Sequence, residues 1–443
     1  MYKLIVSVGN LQGGGRGMYP EDVEIRSKII GADFKIRLYD SKLVNVINFD
    51  NAATTPAFKR SWKYLSDFLP VYGSIARGAG YKSQLSTEMF ENSRKKVLKF
   101  FSLGNRQDYE VIYVKNTTEG INKLANRLIT SKDELVITTR MEHHSNDLPW
   151  RGKCRLEYVD VNKNGEVPLE AIEKKLAENK DKFSYFTITG ASNVTGFVNP
   201  VNQIAKLVHE NGGEIIVDGA QLVPHRKVNM AGAEKGEEID YMVFSAHKIY
   251  APFGIGVIIA KKDKLALGEP DLKGGGTVVT VTDDEVVWKG LEAKEEAGTQ
   301  NLLGVVALLG ALEEIDSIGY DTIVRRENVL MKNLFRGLKC IKGINIYGMA
   351  DSSKDKLGIG VFNLKELSHG SVASLLSKLS AISVRNGCFC AQPYVQRLLG
   401  TIRRDPDKFG MVRVSFGVYN TLEELWVFLN TLEYISKHYD HKL

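Results

Sequence analysis

The chain has 443 residues, 59 of them Lys or Arg against 53 Asp or Glu, giving a formal charge of +6 and a pI near 8.8. At roughly 150 residues per domain this length makes two or three domains, or one large domain with an appendage. A composition of 43% hydrophobic and 25% charged residues is that of an ordinary globular chain and argues against disorder. The positive charge comes in short groups such as Arg94-Lys95-Lys96, a solvated surface rather than a nucleic-acid footprint.

Residues 1–46, with the cluster Gly13-Gly14-Gly15-Arg16-Gly17, read as an extension. The cluster lacks the Gly-Lys-Ser/Thr ending of a phosphate loop and is expected to be a flexible turn. Its apolar stretch 4–8 is too short for a secretory core. The internal apolar runs 254–260 and 305–312 fall well below the roughly 18 residues that cross a bilayer. Four cysteines, Cys154, Cys340, Cys388 and Cys390, make no disulfide framework and fit a reducing compartment. The expectation is a cytoplasmic protein that engages neither membrane nor nucleic acid.

Between 111 and 260, short apolar runs alternate with helical periodicity. Buried strands are predicted at 111–114, 135–137, 156–159, 185–188, 215–217, 241–244 and 255–260, and a helix at 119–128. Another helix carries Val201, Ile204, Ala205 and Val208 at i, i+3, i+4 and i+7. Strands apolar on both faces and separated by helices define a mainly parallel, seven-stranded sheet between helices, an α/β fold. From 301 onward the pattern changes to helices at 302–318 and 322–338 and strands at 344–347, 359–362, 382–384 and 412–416. A last helix opens with a capping box of Thr421 and Glu424 and buries Leu425, Phe428, Leu432 and Ile435. The expected division is an extension at 1–46, a large domain at 47–300 and a smaller α+β domain at 301–443.

Ligands of open α/β sheets bind beyond the carboxyl ends of the strands. There the strand 111–114 runs into Lys115-Asn116-Thr117-Thr118-Glu119-Gly120, whose N–H groups and hydroxyls at a helix start can seat a phosphate, although they also cap helices without any ligand. The strand 135–137 leads to Glu142-His143-His144-Ser145-Asn146, and adjacent histidines do not point alike, so no metal site is expected. The strand 185–188 leads to the polar loop Gly190-Ala191-Ser192-Asn193-Val194-Thr195-Gly196. The strand 215–217 ends in Asp218, with Gln221 three residues on, and 241–244 ends in Ser245-Ala246-His247-Lys248. A carboxylate at a buried strand end needs a partner. Asp218 and Lys248 either pair with each other or meet one cofactor, Lys248 as a Schiff-base amine and Asp218 on a protonated pyridine nitrogen.

With these motifs the chain resembles the class V aminotransferase family, pyridoxal phosphate enzymes of fold type I, and most nearly the group II cysteine desulfurases. The same resemblance is carried by Asp50-Asn51-Ala52-Ala53-Thr54-Thr55, Val217-Asp218-Gly219-Ala220-Gln221, Glu296-Ala297-Gly298-Thr299, Arg385-Asn386-Gly387-Cys388-Phe389-Cys390-Ala391-Gln392-Pro393 and Arg413-Val414-Ser415-Phe416. It extends over about residues 47–443. It implies that Lys248 carries the cofactor, that Asp218 stabilises the pyridinium and Gln221 the ring hydroxyl, and that His143 stacks on the ring and shuttles protons. Thr118, Ser245 and His247, with the backbone of Thr117, would hold the phosphate, and Asn193 and Arg413 the substrate carboxylate. Family enzymes are homodimers in which a threonine of the neighbouring subunit reaches the phosphate. Thr280, after Gly274-Gly275-Gly276, is the candidate here, in a segment one residue shorter than the family pattern.

In the resembling desulfurases the cysteine before Ala-Gln-Pro attacks the substrate sulfur and leaves as a persulfide; here that is Cys390. The nucleophile is a thiolate, which a neighbouring cation such as Arg385 favours. The alternative for Cys390 is a small buried hydrophobe. Cys388 stands where relatives often have histidine. If the segment were extended, both thiols would point to one face, able to pass a persulfide or to oxidise, and its role stays open. Cys154 and Cys340 carry no expected chemistry. The reading is a desulfurase that takes sulfur from L-cysteine and releases L-alanine, with a possible sulfur-acceptor protein. A selenocysteine lyase, a cysteine or cystine C–S lyase that makes pyruvate and ammonia without Cys390, and an aminotransferase are the alternatives, and a non-catalytic relay scaffold is disfavoured by Lys248 and Asp218.

Overall fold

The computed structural model describes residues 20–39, 41–76, 78–349, 355–401 and 409–439. The glycine cluster at 13–17 lies outside the described residues. The central sheet is built from β1 (Tyr109–Val114), β2 (Leu135–Thr139), β3 (Arg155–Val159), β4 (Tyr185–Thr189), β5 (Glu214–Asp218), β6 (Tyr241–Ser245) and β7 (Gly256–Lys261). Their spatial order is β1-β7-β6-β5-β4-β2-β3, and β7 alone is antiparallel to its neighbours. Every residue of β2, β4 and β6 is buried, as strands covered on both faces require.

The covering helices follow from the apolar spacing. Thr117–Leu128 turns Ile121, Leu124, Ala125 and Leu128 onto one face of the sheet, among Ile112, Val243 and Ile258. A Cβ on Gly120 would stand 2.4 Å from Val243 Cγ1, so only glycine lets this helix lie so close. Val201–Glu210 and Leu302–Ile318 cover the other face through Val201, Ile204, Val208, Val305 and Leu308.

The C-terminal part holds a four-stranded antiparallel sheet of β8 (Ile344–Tyr347), β9 (Ile359–Leu364), β10 (Arg385–Gly387) and β11 (Met411–Ser415) in the order β8-β9-β11-β10. The stretch expected as one strand at 382–384 is divided. Ile382–Ser383 pairs in parallel with Ile47–Asn48, and the chain then changes partner to form β10. Ile47 and Phe49 consequently pack with Phe362, Val412 and Phe428 in the core of this second unit. The capping box is formed: Thr421 Oγ1 accepts from the Glu424 N–H and Glu424 accepts from the Thr421 N–H, and Leu425, Phe428, Leu432 and Ile435 are all fully buried.

Candidate active site

A cavity of about 500 Å³ opens between the carboxyl ends of the central strands and the second sheet. Its wall brings together Thr117, Thr118, His143, Asn193, Asp218, Gln221, Ser245, His247, Lys248, Arg385, Cys390 and Arg413, residues from seven separate segments. Thr280 is apart from them, exposed on the hairpin Val278–Val281/Val286–Trp288.

One end is a helix start dressed with hydroxyls. Asn116 caps Thr117–Leu128 by accepting from the Glu119 N–H at 3.0 Å. The Thr117 N–H donates to Ser245 Oγ at 2.7 Å, and Thr118 Oγ1 meets Ser145 Oγ at 2.6 Å. β7 passes directly beneath: a Cβ on Gly256 would lie 2.6 Å from the Asn116 Cα. This end can seat a phosphate.

Asp218 closes β5, buried, with Oδ1 accepting from the Ala220 N–H at 2.9 Å. Burial pushes its carboxyl up, and the Ala220 N–H and Lys248 oppose this. Lys248 ends the short turn Ala246–Lys248 that follows β6. Burial holds its amine below the usual lysine range, with Asp218 pulling the other way, Arg413 reinforcing burial and Cys390 opposing it. Asp218 and Lys248 feel one another but are not joined in an ion pair among the described residues. They face one cavity instead of neutralising each other.

The turn carrying Lys248 is held by the segment Asp50-Asn51-Ala52-Ala53-Thr54-Thr55. The hydroxyls of Thr54 and Thr55 both donate to the His247 carbonyl at 3.1 Å, and the Tyr250 N–H donates to Thr55 Oγ1 at 2.8 Å. Gln221 donates to the Ala52 carbonyl at 2.7 Å. His247, pushed down to about 4 by burial and Lys248, and His143, pushed down to about 3 by burial first and then by Lys248, are both neutral imidazoles. His143 Nδ1 accepts from the Ser145 N–H at 3.1 Å, so the ring proton sits on Nε2.

On the opposite wall Arg413, buried at 3% exposure, donates from Nη1 to the Asn193 carbonyl at 2.9 Å and from Nη2 to Asp50 at 3.0 Å. Its Nε has no partner among the described residues. Burial lowers this guanidinium to about 10 against the pull of Asp50. Arg385 grips the other oxygen of Asp50 at 3.0 Å. The Asn193 amide, expected to wait for a carboxylate, donates to the Phe389 carbonyl at 2.8 Å.

Cys390 is exposed at this wall. The cysteine segment is not extended, so the condition under which both thiols would share one face is not met. Phe389 and Cys390 have φ of 54° and 53°, and the Ala391 N–H closes the turn on the Cys388 carbonyl at 2.9 Å. Cys388 lies half-buried against Met411 and Phe409, its sulfur 3.4 Å from the Phe409 carbonyl and its thiol pushed up, first by burial and then by Cys390. Cys154, pushed up to about 11 by burial, and Cys340 on the last turn of Tyr320–Cys340 stand outside the cavity.

Two carboxylates were missed in the sequence. Asp50 owes its place to partners 335 and 363 residues away, a separation that leaves no local signal. Glu142, buried beneath the turn that presents His143, accepts from Thr139 Oγ1 and from the Asn146 amide, each at 2.6 Å, yet burial pushes it up to about 8. Among the described residues no three His, Cys, Asp or Glu side chains gather as metal ligands, and no helix is long and apolar enough to cross a membrane.

Fold and cavity together define an α/β enzyme organised around the cavity lysine Lys248, with a second unit supplying an arginine and a thiol. Residues 47–428 match the family model for aminotransferase class V, and the chain belongs to that family. It is 32% identical over 405 residues, 89% of this chain and 94% of the relative, to a probable cysteine desulfurase of Halalkalibacterium halodurans. It is 35% identical over 403 residues, 88% and 94% of the two chains, to a probable cysteine desulfurase of Pyrococcus abyssi. Among solved structures, the apo cysteine desulfurase of Thermococcus onnurineus NA1 superposes with a TM-score of 0.81 at 32% identity, over 96% of this chain and 100% of the other.

Proposed function

We propose that this chain is a pyridoxal-phosphate-dependent cysteine desulfurase that moves sulfur from L-cysteine onto Cys390 and releases L-alanine. The observation that carries the reading is the thiol of Cys390 on the wall of the same cavity as Lys248, Asp218 and Arg413. The donor set fits the cofactor: an amine free of an ion pair, a buried carboxylate across from it, and a hydroxyl-rich helix start. Lys248 would hold it covalently, with Asp218 at the ring nitrogen, Gln221 at the ring hydroxyl and the neutral face of His143 against the ring. Thr117, Thr118, Ser245 and His247 would take its phosphate. When bound, the group supplies an electron sink for bonds breaking at the substrate α-carbon.

The protein's own residues do the rest. The unpartnered Nε of Arg413 points to a carboxylate ligand, because a buried donor left unsatisfied is costly. Lys248, whose amine burial holds below the usual lysine range, takes and returns the α-proton. Cys390 as thiolate attacks the substrate sulfur, so that an S–S bond forms while the sulfur–carbon bond breaks and its electron pair stays with the three-carbon fragment. His143 relays a proton to that fragment, giving one from Nε2 as Nδ1 takes one up through Ser145 Oγ, and the fragment leaves as alanine.

The same reading carries further proposals. The chain works as a cytoplasmic homodimer, in which Thr280 reaches the partner's phosphate seat; the exposed Val279 and Val281 beside it support burial of this hairpin against a second subunit. The exposure of Cys390 supports transfer of its sulfur to an acceptor protein. Residues 47–300 form the cofactor domain and 301–443 the domain of the nucleophile.

The test is product analysis with L-cysteine and a reductant, beside Cys390→Ala. Alanine and sulfide in equal amounts, lost in the variant, establish desulfuration through Cys390. Pyruvate and ammonia, unaffected by the substitution, would make the enzyme a C–S lyase; a preference for selenocysteine under the same assay would make it a selenocysteine lyase.

A further inference from the structure

We propose that His144 is the positioning residue for Cys390, supplying across the cavity the N-terminal cap that the helix Gln392–Leu399 cannot make for itself. The helix begins badly. Its N-cap is Ala391, at φ −141° and ψ 49°, with no side chain able to accept from the first N–H groups. Such groups need acceptors, and Ser, Thr, Asp or Asn normally provide one at that position. Here the Gln392 N–H donates to His144 Nε2 at 3.2 Å, a contact spanning 248 residues.

His144 makes a second bond to the same segment. Its own N–H donates to the Cys390 carbonyl at 2.6 Å. The two bonds bracket Ala391, one on each side, and tie the turn of Cys390 to the segment that presents His143. That turn needs tying. Phe389 and Cys390 are consecutive non-glycine residues in the left-handed region, a conformation that persists only where the surroundings impose it. Asn193, on Phe389, is another restraint from outside the segment.

Accepting at Nε2 requires an unprotonated nitrogen. Burial holds His144 below the usual histidine range, Asp147 opposing this and Arg151 adding to it, while the neighbouring His143 is itself neutral. The acceptor is therefore in place at neutral pH. The proposal rests on Cys390 being the nucleophile; what it adds is the group that keeps the thiol's turn formed at the cavity wall.

The experiment compares the cofactor-loaded parent with His144→Ala and His144→Gln. Glutamine places a carbonyl oxygen at the reach of Nε2 and keeps the cap, whereas alanine removes it. The readouts are amide exchange at Gln392 and steady-state desulfuration, with the cofactor absorbance band as the check that each variant is folded and loaded. Loss of one cap raises exchange of Gln392 by about fivefold. In His144→Ala, kcat is expected to fall with an unchanged KM for L-cysteine, and His144→Gln to restore both exchange and kcat. Unchanged exchange in His144→Ala overturns the proposal. So does raised exchange with unchanged kcat, or a glutamine variant that behaves as alanine does. A parent that forms no persulfide on Cys390 would sink the desulfurase reading instead, and exchange at Gln392 would then decide the tether alone.

Discussion

Asp50 is the residue whose substitution probes the substrate wall most directly. It holds Arg413 Nη2 at 3.0 Å through one oxygen and Arg385 at 3.0 Å through the other. Asp50→Asn keeps the shape and one acceptor and removes the charge. The Arg385 half of the bridge is worth little, about 0–1 kcal/mol, because that guanidinium is half exposed to solvent. The Arg413 half matters more: its side chain is 3% exposed and would lose its counter-ion. A fully buried pair broken on one side costs about 3–5 kcal/mol. Asp50 itself is 20% exposed, so the expected loss of stability is smaller, about 1–3 kcal/mol. The same substitution should favour substrate. Nη2 and the unpartnered Nε lie on one edge of the Arg413 guanidinium, and that edge is the two-donor fork a carboxylate fits. Asp50 occupies half of it. Releasing that half should lower KM for L-cysteine about three- to tenfold, as expected for one charge-assisted hydrogen bond gained at modest net strength. Guanidinium unfolding and steady-state kinetics at neutral pH measure the two effects. A variant as stable as the parent, or one whose KM rises, would refute the account of Asp50 as occupant of the fork.

Other substitutions read other parts of the site. Glu142 is pushed from 4.5 to about 8, so the folded state keeps its proton where the unfolded chain has lost it; stability is fully present below 4.5 and falls as pH rises through about 8. Denaturation at a series of pH values should show that slope and its loss in Glu142→Gln. Gly256→Ala pushes a methyl against the Asn116 backbone, which cannot yield as a side chain would, and should weaken cofactor retention measured by absorbance after gel filtration. Cys388→Ser should leave the yield of Cys390 persulfide, read by mass spectrometry, unchanged, since the Cys388 thiol is pushed up by burial and directed at the Phe409 carbonyl. His143, held near 3, should show no titration between pH 5 and 8 in the nitrogen spectrum of labelled protein.

The central sheet was legible because its strands are apolar on both faces; each of the seven was located to within two residues at either end. The cavity was legible for a related reason: polar residues stand where those apolar runs stop, as Asp218 does after Ile215-Ile216-Val217. The reversal of β7 left no trace, since a strand buried on both sides reads the same in either direction. The break in the stretch 382–384 was equally silent, because changing from Ile47–Asn48 to β11 as partner requires no change in residue type. The turn at Cys390 had no mark in the sequence, because left-handed residues are usually announced by glycine or asparagine, and here they are Phe389 and Cys390.

That turn explains why the proposed nucleophile, Cys390, lies where it does. The groups that would hold the cofactor sit at strand ends or in turns pinned to them: Asp218 closes β5, Lys248 follows β6, and Thr117 is bonded to Ser245. A cysteine on such a strand could reach the substrate sulfur but could not afterwards present it to an outside acceptor. Cys390 instead lies in a four-residue turn between β10 and the helix Gln392–Leu399, exposed, with two consecutive residues in a left-handed conformation. Hydrogen bonds from the opposite side of the cavity, through Asn193 and His144, restrain that turn in addition to the packing of Phe389 and Cys388 beside Met411 and Phe409. Asn193 is one of those restraints and also a candidate for the substrate carboxylate, and its amide donates to Phe389 here. A carboxylate drawing that amide away would release the turn from the Phe389 side while His144 still held it at Ala391. Arrival of substrate would then loosen the nucleophile at the step in which it has to move.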